Sequence, residues 1–262
     1  CNLRVQFKLR NFTIQSNKHF MKYTFTQKAL AFSVHALTSS GIVAGFMAIL
    51  AITEHEFKMA MLWLFVTLII DGVDGTFARL FKVKEVLPNF DGGMIDAVID
   101  FATYAIIPAY FIYEAPLLPE DYRLLGTSII LVVSAMYYGK MGMISNDYYF
   151  VGFPIMWNMV AFYLFFVTDN FMDNSEWLNF VLVVIFAIMH FIPIKFLYPS
   201  RTKKFRGLNI AVSAIFLISN IWIITIYDDI NMVLSWISLA CVGFYAWMGI
   251  YNTWIDEDTR EL

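Results

Sequence analysis

Charge is scarce in this chain. Only 15% of its 262 residues are Asp, Glu, Lys or Arg, while 60% are hydrophobic and 18% aromatic. An ordinary soluble domain carries about 25% charged residues. That much apolar surface does not fit inside one water-soluble core. Cysteine is nearly absent: Cys1 and Cys241 supply neither a disulfide framework nor a zinc site. Long linkers, low-complexity tracts and internal repeats are also lacking. The basic residues Arg4, Lys8 and Arg10 are not followed by a short apolar core with a cleavage site, so no signal peptide is expected. His19, His35, His55 and His190 show no metal-ligand spacing, and no nucleophilic triad is indicated. Packing or interfacial hydrogen bonds are the expected work of these histidines.

What is present is a series of long, nearly uncharged runs, the signature of membrane-spanning helices. Eight spans are predicted, at roughly 32–52, 59–81, 93–113, 123–142, 153–169, 177–194, 208–227 and 230–254. The expected fold is therefore all-α: one polytopic integral membrane domain over residues 1–262, with residues 1–30 as a cytoplasmic or interfacial arm. Residues 3–24 mix basic residues with Phe7, Phe12, Phe20 and Tyr23, which suits an interfacial amphipathic helix or a basic arm. Lysines and arginines alternate in side along the chain. They precede span 1, lie between spans 2 and 3 (Arg79, Lys82, Lys84), follow span 4 (Lys140) and crowd the segment before span 7 (Lys195, Arg201, Lys203, Lys204, Arg206). The opposite loops are acidic, with only Lys58 and Arg123 on that side. By the positive-inside bias, both termini are expected in the cytoplasm.

Against this background, "DGVDGTFARLFKVKEVLPNFDGGMIDAVID", residues 71–100, stands out. On a helix, Asp71, Asp74, Gly75, Ala78 and Arg79 share one face. Gly92, Asp96 and Asp100, at i, i+4 and i+8, share another. The first set closes span 2 and the second opens span 3, so the four aspartates are expected to converge near the cytoplasmic side. A charged residue in the bilayer costs about 2.5–3.5 kcal/mol on insertion scales, and clustered carboxylates repel one another. A divalent cation relieves both penalties, and all-oxygen ligation suits Mg²⁺ or Mn²⁺. Such a metal site at a membrane surface suits pyrophosphate chemistry. Gly75 and Ala78 leave room for a ligand on the carboxylate face, or serve as small residues for helix packing.

The pattern resembles the signature of the CDP-alcohol phosphatidyltransferases, D-x-x-D-G-x-x-A-R, a spacer, then G-x-x-x-D-x-x-x-D. Asp71, Asp74, Gly75, Ala78, Arg79, Gly92, Asp96 and Asp100 fill every fixed position. The spacer, residues 80–91, is longer than most members carry and is similar to that of the bacterial phosphatidylcholine synthase branch. "VHALTSSGIVAG", "GFPIMWNMVAFYL" and "FIPIKFLYPSRTKKFRGLN" resemble the same branch.

This resemblance implies a transferase that moves the phosphatidyl group of CDP-diacylglycerol to choline and releases CMP. It implies Asp71, Asp74, Asp96 and Asp100 as ligands of Mg²⁺ or Mn²⁺, two ions in all, with Asp100 the general base. Asp71, Asp74, Gly75, Ala78, Arg79 and Gly92 would receive the CDP moiety. Lipid is the expected environment, a homodimer is a family habit, and no nucleic-acid partner is expected. The implied location is a bacterial inner membrane, with the site facing the cytoplasm.

Choline offers no N–H donor, so aromatic faces beside a carboxylate are its expected receptor. Asp147, Tyr148, Phe150 and Trp157 are the candidates, although aromatic residues also gather at any membrane interface. The basic residues Arg201 to Arg206 read either as a phosphate site or as the positive-inside signal in contact with anionic lipid. Another acceptor, such as serine, would keep the chemistry. A secondary transporter with intramembrane carboxylates is the reading from a different class.

Overall fold

The computed structural model describes residues 23–168, 175–199, 201–202, 204–227 and 232–255. The expected arm before residue 23, and Lys203, lie outside the described residues. The described chain is dominated by helices, in keeping with an all-α polytopic membrane protein.

Helix α1 covers Phe25–Thr53 and α2 covers Phe57–Leu80. After the short α3 (Val83–Val86), α4 (Gly92–Phe101) runs through a wide π turn into α5 (Ile107–Glu114). Pro108, in the first turn of α5, explains the π turn: it has no N–H to give and its ring crowds the carbonyl four residues back. Helix α6 is Arg123–Tyr138, α7 is Trp157–Tyr163 and α8 is Glu176–Met189. Helices α9 (Arg206–Thr225) and α10 (Met232–Ile250) complete the described helices.

Among the described residues, five helical stretches are long and apolar enough to cross a membrane: Phe25–Thr53, Phe57–Leu80, Gly92–Glu114, Arg206–Thr225 and Met232–Ile255. The other three expected spans coincide with shorter helices, of which α6 has 16 residues and α8 has 14. At 1.5 Å per residue these reach only about 21–24 Å, less than a typical hydrocarbon core of about 30 Å.

Helix α1 starts earlier than the hydropathy predicts. Thr24 and Gln27 form a reciprocal capping box: the Gln27 N–H donates to Thr24 Oγ1 at 3.3 Å and the Thr24 N–H donates to Gln27 Oε1 at 2.9 Å. The helix therefore begins at Phe25 rather than near residue 32, and part of the expected arm is helix.

The described residues form two compact units. The first takes the chain up to Gly41 together with Leu68–Ile99. Its apolar core is Ala31, Val34, Val83 and Val86, with Ala78, Phe81 and Leu87 packed against them. The long spacer thus has a structural account: residues 83–86 wind into a turn whose Val83 and Val86 pack against Ala31 and Val34 of α1.

The second unit takes Ile42–Thr67 and the chain from Asp100 onward. Its core is rich in aromatic rings. Phe57, Phe111 and Phe165 lie within 5.3–5.5 Å of one another, and Phe65 packs on Phe162. Polar groups inside this unit satisfy each other across helices: Tyr163 with Ser238, Ser238 with Asn220, and Ser213 with Tyr245 at 2.6 Å. Large apolar side chains such as Val43, Phe46, Ile218 and Trp236 face outward, as suits contact with lipid.

One element is unexpected. Tyr149–Val151 (β1) pairs antiparallel with Lys195–Leu197 (β2), Tyr149 opposite Leu197 and Val151 opposite Lys195. The ribbon rests on the end of α10, where Met248 packs with Tyr149 and Leu197, and where Thr253 Oγ1 accepts the Lys195 N–H at 2.8 Å.

Candidate active site

Helix α2 ends and α4 begins with the two halves of the aspartate pattern. Asp71 on α2 meets Asp96 and Asp100, one turn apart on α4. One carboxylate oxygen from each lies within 4.8 Å of the others, and all three residues are half-buried. Two like charges at that separation repel by about 3 kcal/mol at an effective dielectric near 20. A cluster of three hard oxygen donors is one able to hold a divalent cation.

Asp74 is not part of that trio. It is only 5% exposed, with the Thr38 side chain within hydrogen-bonding reach and the positive charge of Arg79 nearby. Of the four aspartates expected to converge, Asp71, Asp96 and Asp100 form this group. The fourth is buried against α1, because i+3 on a helix turns a side chain some way round from i.

The other motif residues sort by their neighbours. Gly92 has a steric reason to be glycine: a Cβ there would stand 2.9 Å from His35 Cε1. His35, read from the sequence as packing or an interfacial hydrogen bond, fills that notch beside the Phe90 ring, and its Nε2 is buried with no hydrogen-bond partner among the described residues. Asp91, which no motif singled out, accepts the Met94 N–H at 3.1 Å and caps α4. Ala78 packs into the apolar core of the first unit, the helix-packing alternative. Gly75 leaves its face to Arg79, whose Nη1 would sit 3.5 Å from a Cβ placed there. Arg79 itself is exposed and donates to Thr76 Oγ1 at 3.1 Å.

The candidates for an ammonium receptor divide. Asp147, Tyr148 and Phe150 come together at the ribbon. Trp157 does not join them as an open face: it is fully buried, stacked on His190 at 5.4 Å, and donates through Nε1 to Ser134 Oγ at 2.9 Å. The helix that starts at Trp157 turns its indole into the core, which alternation of aromatic residues in the sequence does not reveal. Gly152 makes this packing possible. It has φ +97°, and a Cβ would fall 2.1 Å from the His190 carbonyl oxygen.

At the ribbon, Lys195 is 1% exposed and its Nζ reaches Asp147 Oδ2 at 3.3 Å. The Ser145 hydroxyl donates to the other oxygen of Asp147. Phe150 stacks on Tyr198 at 4.8 Å. As site residues Lys195 and Tyr198 escaped the sequence reading, where Lys195 counted toward the positive-inside bias and both lay in the "FIPIKFLYPSRT" stretch.

Comparison with known proteins fits this geometry. The chain is 43% identical over 200 residues to the phosphatidylcholine synthase of Pseudomonas aeruginosa, covering 76% of this chain and 82% of that one. It is 39% identical over 219 residues to that of Agrobacterium fabrum, covering 81% and 89%. The chain belongs to the phosphatidylcholine synthase family. A more distant phosphatidylcholine synthase, from Borreliella burgdorferi, is still 32% identical over 232 residues, covering 88% and 96%. No protein-family model matches the chain. The phosphatidylcholine synthase family is one of enzymes, so the multi-pass helical frame carries a transferase site.

Proposed function

We propose that the chain transfers the phosphatidyl group of CDP-diacylglycerol to choline, giving phosphatidylcholine and CMP. Family membership carries the reading, and the convergence of Asp71, Asp96 and Asp100 supports a site for it. The donor is a lipid, so a site at the ends of membrane helices lets its acyl chains remain among other lipids while its pyrophosphate reaches the carboxylates. By the positive-inside bias this end faces the cytoplasm of a bacterial inner membrane.

Asp71, Asp96 and Asp100 would hold Mg²⁺ or Mn²⁺, with Asp74 beside them, and two such ions would supply positive charge against the pyrophosphate. Asp100 holds the acceptor hydroxyl and takes its proton as the oxygen bonds to the phosphorus attached to diacylglycerol. The bond from that phosphorus to the oxygen of CMP breaks, and CMP leaves. Direct attack needs no covalent intermediate on the protein. Gly75 gives the nucleotide access to the α2 backbone, and Arg79, exposed at the same end, meets its phosphate. Gly92 serves the site by letting α1 approach α4 closely.

Serine in place of choline would keep every step. Equimolar choline and serine, offered with CDP-diacylglycerol to purified protein, separate the two by mass spectrometry of the lipid product. Phosphatidylcholine as the dominant product supports the reading; phosphatidylserine alone overturns the acceptor. Absence of any lipid product in folded protein overturns the reaction.

A further inference from the structure

We infer that Arg201 is a built-in stand-in for the acceptor's quaternary ammonium: its guanidinium occupies a cation–π seat between Tyr148 and Tyr198 that choline takes on binding. The inference rests on the choline reading above and deepens it by naming the seat.

The guanidinium carbon lies 5.1 Å from the centroid of the Tyr198 ring and 5.8 Å from that of Tyr148. Both fall within the roughly 6 Å over which a ring face attracts a cation. Phe150 stacks on Tyr198 and braces it. The backbones of the two tyrosines are tied together by bonds that do not involve the Arg201 side chain. Thr202 Oγ1 donates to the Tyr148 carbonyl at 3.1 Å and accepts the Tyr198 N–H at 3.1 Å. Tyr148 is held at φ +67°, a conformation that a bulky residue keeps only when its surroundings impose it. The seat therefore persists when the arginine side chain swings away.

The ribbon carries two cations, and they differ in how they are held. Lys195 is buried and tied to Asp147. Arg201 is exposed, so its hold on the two rings is weak and water receives it readily when displaced. The carboxylate expected to greet an ammonium is thus already engaged by Lys195, which leaves the aromatic faces as the recognition surface. That selects for a poorly hydrated cation without N–H donors over the primary ammonium of an amino acid.

The seat is linked through α6 to the helix that carries Asp100. The Tyr137 hydroxyl donates to the Val151 carbonyl at 3.3 Å and Lys140 Nζ donates to it at 3.2 Å, tying β1 to the end of α6. The next residue, Tyr138, packs edge-on against Phe101 at 5.6 Å, and Phe101 follows Asp100 on α4.

The test measures CMP release by the full-length purified chain, titrating choline at saturating CDP-diacylglycerol, with tetramethylammonium as a competing probe. Arg201→Ala is expected to lower the choline KM about two- to five-fold and to sharpen tetramethylammonium inhibition equally. Tyr198→Leu, or Tyr148→Leu should the former misfold, is expected to raise that KM and blunt the inhibition. An Arg201→Ala variant with unchanged or raised choline KM overturns the inference. So does one whose defect lies in the KM for CDP-diacylglycerol, which would give Arg201 to a phosphate. These outcomes all require choline-dependent release by the unaltered chain. Its absence there overturns the function itself and is read separately.

Discussion

The carboxylates at the α2 and α4 ends and the carboxylate of the β-ribbon keep opposite company. Asp71, Asp96 and Asp100 gather with one another within 4.8 Å. Asp147, on the ribbon, gathers with Lys195 and Ser145. Three carboxylates brought together by two helices form a group of hard oxygen donors able to hold a divalent cation. A carboxylate paired with a buried lysine is a different kind of site. The first arrangement suits a place where charge is to be bound and neutralised during a reaction; the second suits a rigid support. In the proposed reaction, catalysis falls to the helix ends and recognition of the acceptor to the ribbon.

The largest effect should come from the first region. Asp100→Asn keeps the shape of the side chain but removes both charge and basicity, and should lower choline-dependent CMP release at least about a hundred-fold. Chelating divalent metal should do the same to the unaltered chain, and Mg²⁺ or Mn²⁺ should restore it. Activity that survives chelation would break the contrast between the two regions.

A smaller effect is expected at the notch between α1 and α4. Gly92→Ala sets a methyl against the His35 ring at 2.9 Å, and overpacking of that kind costs about 1–3 kcal/mol. Thermal denaturation in detergent should show the loss, and a second change, His35→Ala, should recover much of it. If the double variant is no more stable than the single, the notch is not the reason for the glycine.

In the second region, Asp147→Ala leaves Lys195 buried without that partner. The aspartate is 39% exposed, which moderates the cost to about 1–2 kcal/mol. The expected sign is a lower melting temperature with metal dependence unaltered. A changed metal requirement would show that Asp147 belongs with the catalytic carboxylates. The smallest effect on activity is expected at Trp157→Phe, which shrinks a buried ring and gives up the bond to Ser134, costing about 1–3 kcal/mol of stability and leaving the choline KM unchanged. A raised choline KM in that variant would return the indole to the receptor from which its burial removes it.

Much of the first region was legible because helical periodicity is a strict rule. Spacing of four on α4 places Asp96 and Asp100 on one face whatever surrounds them. Spacing of three on α2 leaves more play, and Asp74 settled against Thr38 rather than into the trio. The roles of Gly92 and His35 were hidden because they depend on which helices touch, which hydropathy does not report. Span number was read from apolar length, and α6 and α8 proved shorter than that length suggested. The start of α1 was written in the sequence as Thr24 and Gln27, a polar signal that a search for apolar runs passes over. The ribbon was not legible at all: its strands, of three residues each, lie far apart in the sequence. Nothing local announces that Asp147 will find Lys195, or Tyr148 find Arg201.

The most direct test of the account is CMP release from CDP-diacylglycerol by purified protein, measured with and without choline, with and without Mn²⁺ or Mg²⁺, beside Asp100→Asn. Release that needs both choline and metal, and that the variant loses, is the predicted result. Release that proceeds without metal, or that Asp100→Asn retains in full, would contradict the claim that the gathered carboxylates of α2 and α4 are the catalytic site.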